Sequence, residues 1–256
     1  MSYSAMNATH LTTSNSPSFV QMISSKVLRA THRDVRFGSS SSSWSNFRRN
    51  FDHNMGQYVI WAILGINGMV FVSWYVARAN LSQRDPSLYA AMSRNFISSA
   101  QNIQAGRIWT FATSIFSHEQ PAHMLFNCLA IYTIAPWVLA SMGSTTFIGF
   151  YLGSGIAANV FSHYWHKFAR PNPNYQSHGA SGSMSAVTAY FACIAPTAQL
   201  LLFGIIPMPA WTLVAGLLAY DGYNTYVDKQ NGINAAAHVG GLMAGFAFFA
   251  RRRFGL

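Results

Sequence analysis

Gly179-Ala180-Ser181-Gly182 stands at the mouth of a long apolar run in a chain of 256 residues. A serine between glycines sits on backbone that can approach another group closely. If Ser181 begins a helix, its hydroxyl lies beside N–H groups that have no intrahelical carbonyl, which is what a nucleophile and an oxyanion site require. The same tetrapeptide inside a membrane helix also serves as a close-packing patch. The rest of the chain decides between the two.

Charged side chains make up only 9% of the chain and hydrophobic ones 51%, against roughly 25% charged in an average soluble domain. The six acids, Asp34, Asp52, Asp85, Glu119, Asp221 and Asp228, together with the Lys and Arg residues leave four charge-free stretches at 53–77, 120–166, 171–220 and 230–250. One crossing needs about 20 apolar residues, so the outer stretches hold one span each and the inner two hold two each. The expectation is an all-α polytopic membrane protein: a bundle of six transmembrane helices near 57–77, 122–142, 145–165, 181–195, 209–223 and 234–250. The connection 78–121 is too long for a turn and is expected to carry short helices lying in the interface. The connection 167–178 contains Arg170-Pro171-Asn172-Pro173, which cannot continue a helix. The apolar segment 199–207, bracketed by Pro196, Pro207 and Pro209, reads as a connection near the surface.

This divides the chain into an N-terminal segment 1–52, a six-helix membrane domain 53–250 and a basic tail 251–256. The net charge of +10 does not point to nucleic acid, because its placement is that of topology signals. Lys26, Arg29, Arg33, Arg36, Arg48 and Arg49 precede the first span, and Arg251, Arg252 and Arg253 follow the last. The termini therefore share the more basic face, and Ser181 opens its helix on the other. Residues 1–50 are Arg-rich, Ser-rich and acid-poor, with an amphipathic spacing around Phe19, Val20, Ile23, Val27 and Leu28. That composition fits a mitochondrial transit peptide, with a disordered tail, suggested by the Ser39–Ser43 run, as the lesser alternative. No further spanning helix is expected before the six. Cys128 and Cys193 lie in expected spans as small apolar residues, and no metal site, disulfide or cofactor is expected from them.

Ionisable residues within a bilayer are expensive and point to function by default. His238, four residues into the last span, shares a face with Gly241 and Gly245, and Ser181, Ser185 and Thr188 form a matching small-residue stripe on the fourth. Two such stripes in contact bring Ser181 Oγ to the His238 imidazole. Imidazole can take the serine proton and return it to a leaving amine. No acid is expected in the later spans to orient the histidine, so the pair reads as a dyad. His123 and Asn127, at i and i+4 near the start of the second span, can both donate to a developing oxyanion together with the Ser181 N–H. Each of these polar residues also has a packing role open to it, and His118, one turn earlier, reads as polar glue.

His-x-x-x-Asn in an early span, Gly-x-Ser-Gly opening a middle one and Ala-His-x-Gly-Gly-x-x-x-Gly in the last resemble the rhomboid family of intramembrane serine proteases, in the family's order and over roughly 57–250. The resemblance implies Ser181 as nucleophile, His238 as general base and acid, His123 and Asn127 with backbone N–H groups as the oxyanion site, and Gly179, Gly182, Gly240, Gly241 and Gly245 as packing positions. It implies transmembrane protein substrates cut near a membrane face, with the lipid bilayer as surroundings. The Gly-Ala-Ser-Gly wording, the Phe116-Ser117-His118 ending and the Arg-rich N-terminus are similar to fungal mitochondrial rhomboids, which implies a multi-pass protein of the mitochondrial inner membrane acting on anchored precursors. Bacterial members often place an aromatic residue one turn past the nucleophile to stack on the histidine; Ser185 stands there, so His238 is expected to be held by something other than a ring.

Two other classes fit parts of the pattern. A proton-coupled transporter or channel would use His123, His163, His166 and His238 as a relay, although carboxylates and an inverted repeat are missing. A non-catalytic rhomboid-fold protein that binds membrane clients would keep the bundle without the chemistry.

Overall fold

The computed structural model describes residues 51–52, 55–202, 205–227 and 234–255. The expected transit-like segment, the question of a helix before the six, and Lys229 lie outside the described residues. Among the described residues six helices exceed 13 residues: α1 (Gly56–Ser82), α5 (Pro121–Met142), α6 (Ser144–Tyr164), α7 (Ser181–Ile194), α8 (Ala210–Val227) and α9 (Ala235–Phe254). Two of them, Gly56–Ser82 and Pro121–Met142, are long and apolar enough by themselves to cross a membrane. The helix boundaries follow local signals. Pro121 at the first turn of α5 gives up an N–H that has no partner there anyway. Asn234 Oδ1 accepts the Ala237 N–H and caps α9. Helix α9 runs on through Arg251, Arg252 and Arg253, cations that suit a helix C-terminus, and ends at Gly255 in the left-handed region.

The fold is not purely helical. Segment 199–207 had no strand expectation, yet β3 (Gln199–Leu202) pairs antiparallel with β4 (Ile206–Pro209) ahead of α8. An apolar run between prolines satisfies its backbone groups by pairing with itself once the prolines bar a helix. The long connection holds the expected short helices, α2 (Ser87–Phe96), α3 (Ala100–Gln104) and α4 (Thr110–Thr113), then a 3₁₀ turn at Ser114–Phe116. It also holds β1 (Ser98–Ser99), which pairs with β2 (Gln176–Ser177) in the α6–α7 connection.

This connection is a packed layer. Val70, Trp74 and Ala77 of α1 form a small core with Met92 and Ile97. Trp74 is fully buried and its indole donates to Ser117 Oγ at 2.8 Å. Buried Asn159 of α6 ties the layer to the bundle: its amide donates to Phe111 O at 2.8 Å and Ser114 Oγ at 3.0 Å, and its oxygen accepts from Ser177 Oγ at 2.7 Å. On the opposite end Asp52 accepts the Thr145 N–H at 2.8 Å, a carboxylate at the N-terminus of α6.

Helix α7 is the hub of the bundle, with buried residues on every side, from Gly182 to Ala192. Helix α9 lies hard against it. A Cβ on Gly241 would strike Gly182 O and come within 3.1 Å of Ser185 Cβ, and one on Gly245 would strike Ala186 O. Gly182 in turn meets Ala158 of α6 and Gly240 meets Phe161, each leaving no room for a methyl group. The α7 stripe against α9 is therefore Gly182, Ser185, Ala186 and Ala189, turned from the expected Ser181, Ser185 and Thr188. The turn leaves the Ser181 hydroxyl beside the seam rather than in it, and Thr188 bonds back to its own helix at Met184 O.

Candidate active site

The turn that delivers Ser181 is held from three directions. Gly179 has φ of 115°, which an L side chain resists, and a Cβ there would lie 2.7 Å from His123 Cε1. Its N–H donates to Ser114 O at 2.8 Å, and the Ala180 N–H donates to His118 Nε2 at 3.2 Å. His118 therefore accepts as a neutral imidazole. Burial, and then the neighbouring His123 and His178, push it down to about 3, so it stays neutral across the physiological range. The histidine expected to be polar glue is the group that fixes the residue before Ser181. Ser181 is the first residue of α7, where backbone N–H groups have no carbonyl within the helix.

His238 comes from the first turn of α9. Its Nε2 lies 2.8 Å from Ser181 Oγ, a hydrogen bond between the two residues singled out 57 positions apart. Its other nitrogen was expected to face no acid. Instead Nδ1 lies 3.2 Å from Asp221 Oδ2, and the Asp221 side chain is only 3% exposed. The expectation of a pair without an acid is corrected to a chain of three groups. Asp221 had been treated as the end of the charge-free stretch 171–220, although it falls inside the expected fifth span. An acid within a span was the signal that could have found it. Among the described residues no ring stacks on His238.

His123 lines the same cavity as Ser181 and His238. Its ring packs edge-on against His118, with centroids 5.1 Å apart, and against His178 at 6.2 Å. Asn127 is not brought to the cavity wall. It is buried, and its amide donates to His123 O at 2.9 Å, one turn back along α5. The cavity holds about 690 Å³ and is walled by polar groups that include Arg78, Glu119, Gln176 and Asn234. Arg78 and Glu119 pair at 2.6 Å across its rim. Burial lowers the pKa of His178 against the raising pull of Glu119. The arrangement is a wettable chamber in which a hydroxyl, an imidazole hydrogen-bonded to it and the N–H groups of a helix start converge. Among the described residues no group of three or more His, Cys, Asp or Glu side chains is placed to hold a metal.

Residues 105–252 match the family model described as Rhomboid domain. The chain is similar to Rhomboid protein 1, mitochondrial, of Saccharomyces cerevisiae, 29% identical over 192 residues that make up 74% of this chain and 52% of that protein. It is 28% identical to RHOMBOID-like protein 12, mitochondrial, of Arabidopsis thaliana, over 77% of this chain and 59% of that one. With the Rhomboid protease AarA of Providencia stuartii it shares 28% identity over 55% of this chain and 54% of the other. The chain thus spans about half the length of the curated relatives it matches.

Proposed function

The chain belongs to the rhomboid family, and we propose that it is an intramembrane serine protease that hydrolyses peptide bonds in or near transmembrane segments of anchored proteins of the mitochondrial inner membrane. The observation that carries this reading is the 2.8 Å Ser181 Oγ to His238 Nε2 contact at the wall of a polar cavity. The relatives named as proteases and those named as mitochondrial support the reaction class and the compartment.

Six helices, α1 and α5 to α9, cross the bilayer, with the layer of short helices over the cavity. Ser181 Oγ attacks the scissile carbonyl carbon as its proton passes to His238 Nε2. The charge that develops on the carbonyl oxygen is met by the Ser181 N–H and by His123, which stands over the same cavity. Collapse breaks the C–N bond, and His238 returns the proton to the amine. Water admitted through the polar chamber then attacks the Ser181 ester as His238 takes its proton, and the acyl C–Oγ bond breaks as His238 returns that proton to Ser181 Oγ. Asn127 supports this arrangement by holding the first turn of α5 through His123 O.

The test is labelling by a serine-reactive fluorophosphonate, together with cleavage of a membrane-anchored substrate in proteoliposomes. Wild type should label and cut, and Ser181→Ala should do neither while keeping its thermal stability. Cleavage that survives in Ser181→Ala would end this reading.

A further inference from the structure

Asp221 is the one carboxylate on the charge-poor helix α8, and three observations concern what it does there. First, its residue is 2% exposed, and a carboxylate taken out of water is costly unless it is paired. Second, it shares one inward face of α8 with buried Asn224 and Thr225, whereas Trp211, Leu218, Tyr220 and Tyr223 point outward. Third, Asn224 and Thr225 line the cavity and Asp221 does not. Its contact is with His238 Nδ1, on the far side of the ring from Ser181.

We propose that Asp221 is a positioning residue for His238, fixing the ring and its tautomer; the proposal rests on the hydrolase reading above. A carboxylate only accepts, so Nδ1 must carry the proton and Nε2 must present its lone pair to Ser181 Oγ. That is the tautomer a general base needs. When Nε2 takes the Ser181 proton, the imidazolium that forms keeps donating from Nδ1 to Asp221 Oδ2. With no ring stacked on His238 among the described residues, this hydrogen bond is the device that holds the imidazole plane. Residue 221 acts through the histidine and does not touch substrate.

The experiment uses the full chain in detergent and in proteoliposomes. Fluorophosphonate labelling rate, kcat and KM for an anchored substrate, and thermal unfolding are measured for wild type, Asp221→Asn and Asp221→Glu. Asp221→Asn is expected to slow labelling and kcat by on the order of 10²- to 10⁴-fold with KM little changed, because an amide can hold the wrong tautomer; Asp221→Glu should recover part of the loss. Full labelling and turnover in a folded Asp221→Asn would overturn the proposal. A far-downfield Nδ1 proton resonance in wild type, lost in His238→Ala, is the second readout. Its absence overturns the role of Asp221 whatever the variants do, including variants that fail to fold. An unlabelled wild type that still shows the resonance would instead sink the hydrolase reading and leave Asp221 as the partner of His238.

Discussion

Gly241 of α9 lies so close to the carbonyl of Gly182 on α7 that a methyl group has no place between them. This contact sits one turn beyond the Ser181 to His238 hydrogen bond, so the same approach that closes the helix seam sets the distance between Ser181 Oγ and His238 Nε2. Gly241→Ala should therefore cost about 1–3 kcal/mol through overpacking and lower fluorophosphonate labelling in the fraction that remains folded. Gly216→Ala on α8, where a Cβ meets nothing within 4 Å, should leave thermal stability unchanged or raise it by up to about 1 kcal/mol, because alanine suits a helix interior better than glycine. Equal effects at the two positions, read by thermal unfolding in detergent, would count against the seam.

His123 lines the cavity and Asn127 does not. In the anchored-substrate assay, His123→Ala should lower kcat by roughly 10²- to 10³-fold as an oxyanion donor, and Asn127→Ala should cost less. A larger loss at Asn127 would mean that its amide leaves His123 O to serve the oxyanion.

Asn159 satisfies three groups in the layer above the cavity. Asn159→Ala leaves buried Ser177 without its acceptor and Phe111 O without its donor, for about 1–3 kcal/mol for each group stranded. Hydrogen exchange in 97–117 should rise well ahead of exchange in α7. Unchanged protection there would show that the layer is held by Trp74 and its core alone.

Folding lowers the pKa of His118 from its ordinary value to about 3, through burial and then the neighbouring His123 and His178. The unfolded chain thus binds a proton that the folded one refuses, so this contribution favours folding fully above about pH 6.5. It is lost as pH falls from there toward 3. The thermal midpoint should drop over that window, and His118→Asn should drop less steeply. A midpoint as steep in the variant as in wild type would remove His118 from the acid sensitivity.

Much of the fold was legible because it is written locally. Charge-free stretches mark helices at nearly the observed limits, Pro171 and Pro173 mark a break, and the 238, 241, 245 spacing marks the close-packed face of α9. Less legible were the pairing of 199–202 with 206–209, the buried bonds of Asn159, and the hold of His118 on Ala180. Each depends on a partner that no periodicity announces.

Asp221 marks the boundary most sharply. That this is a helical chain poor in charge, with Ser181 heading one helix and His238 in the first turn of another, can be read from the residues alone, because backbone hydrogen bonding and side-chain period act within a few residues. That α7 turns Gly182 rather than Ser181 into the seam, that Asn127 faces its own helix, and that α8 presents Asp221 to His238 emerges from the packing of the whole bundle. Helix rotation and neighbour choice are set by which faces pack most closely across the bundle, and that depends on all the helices together.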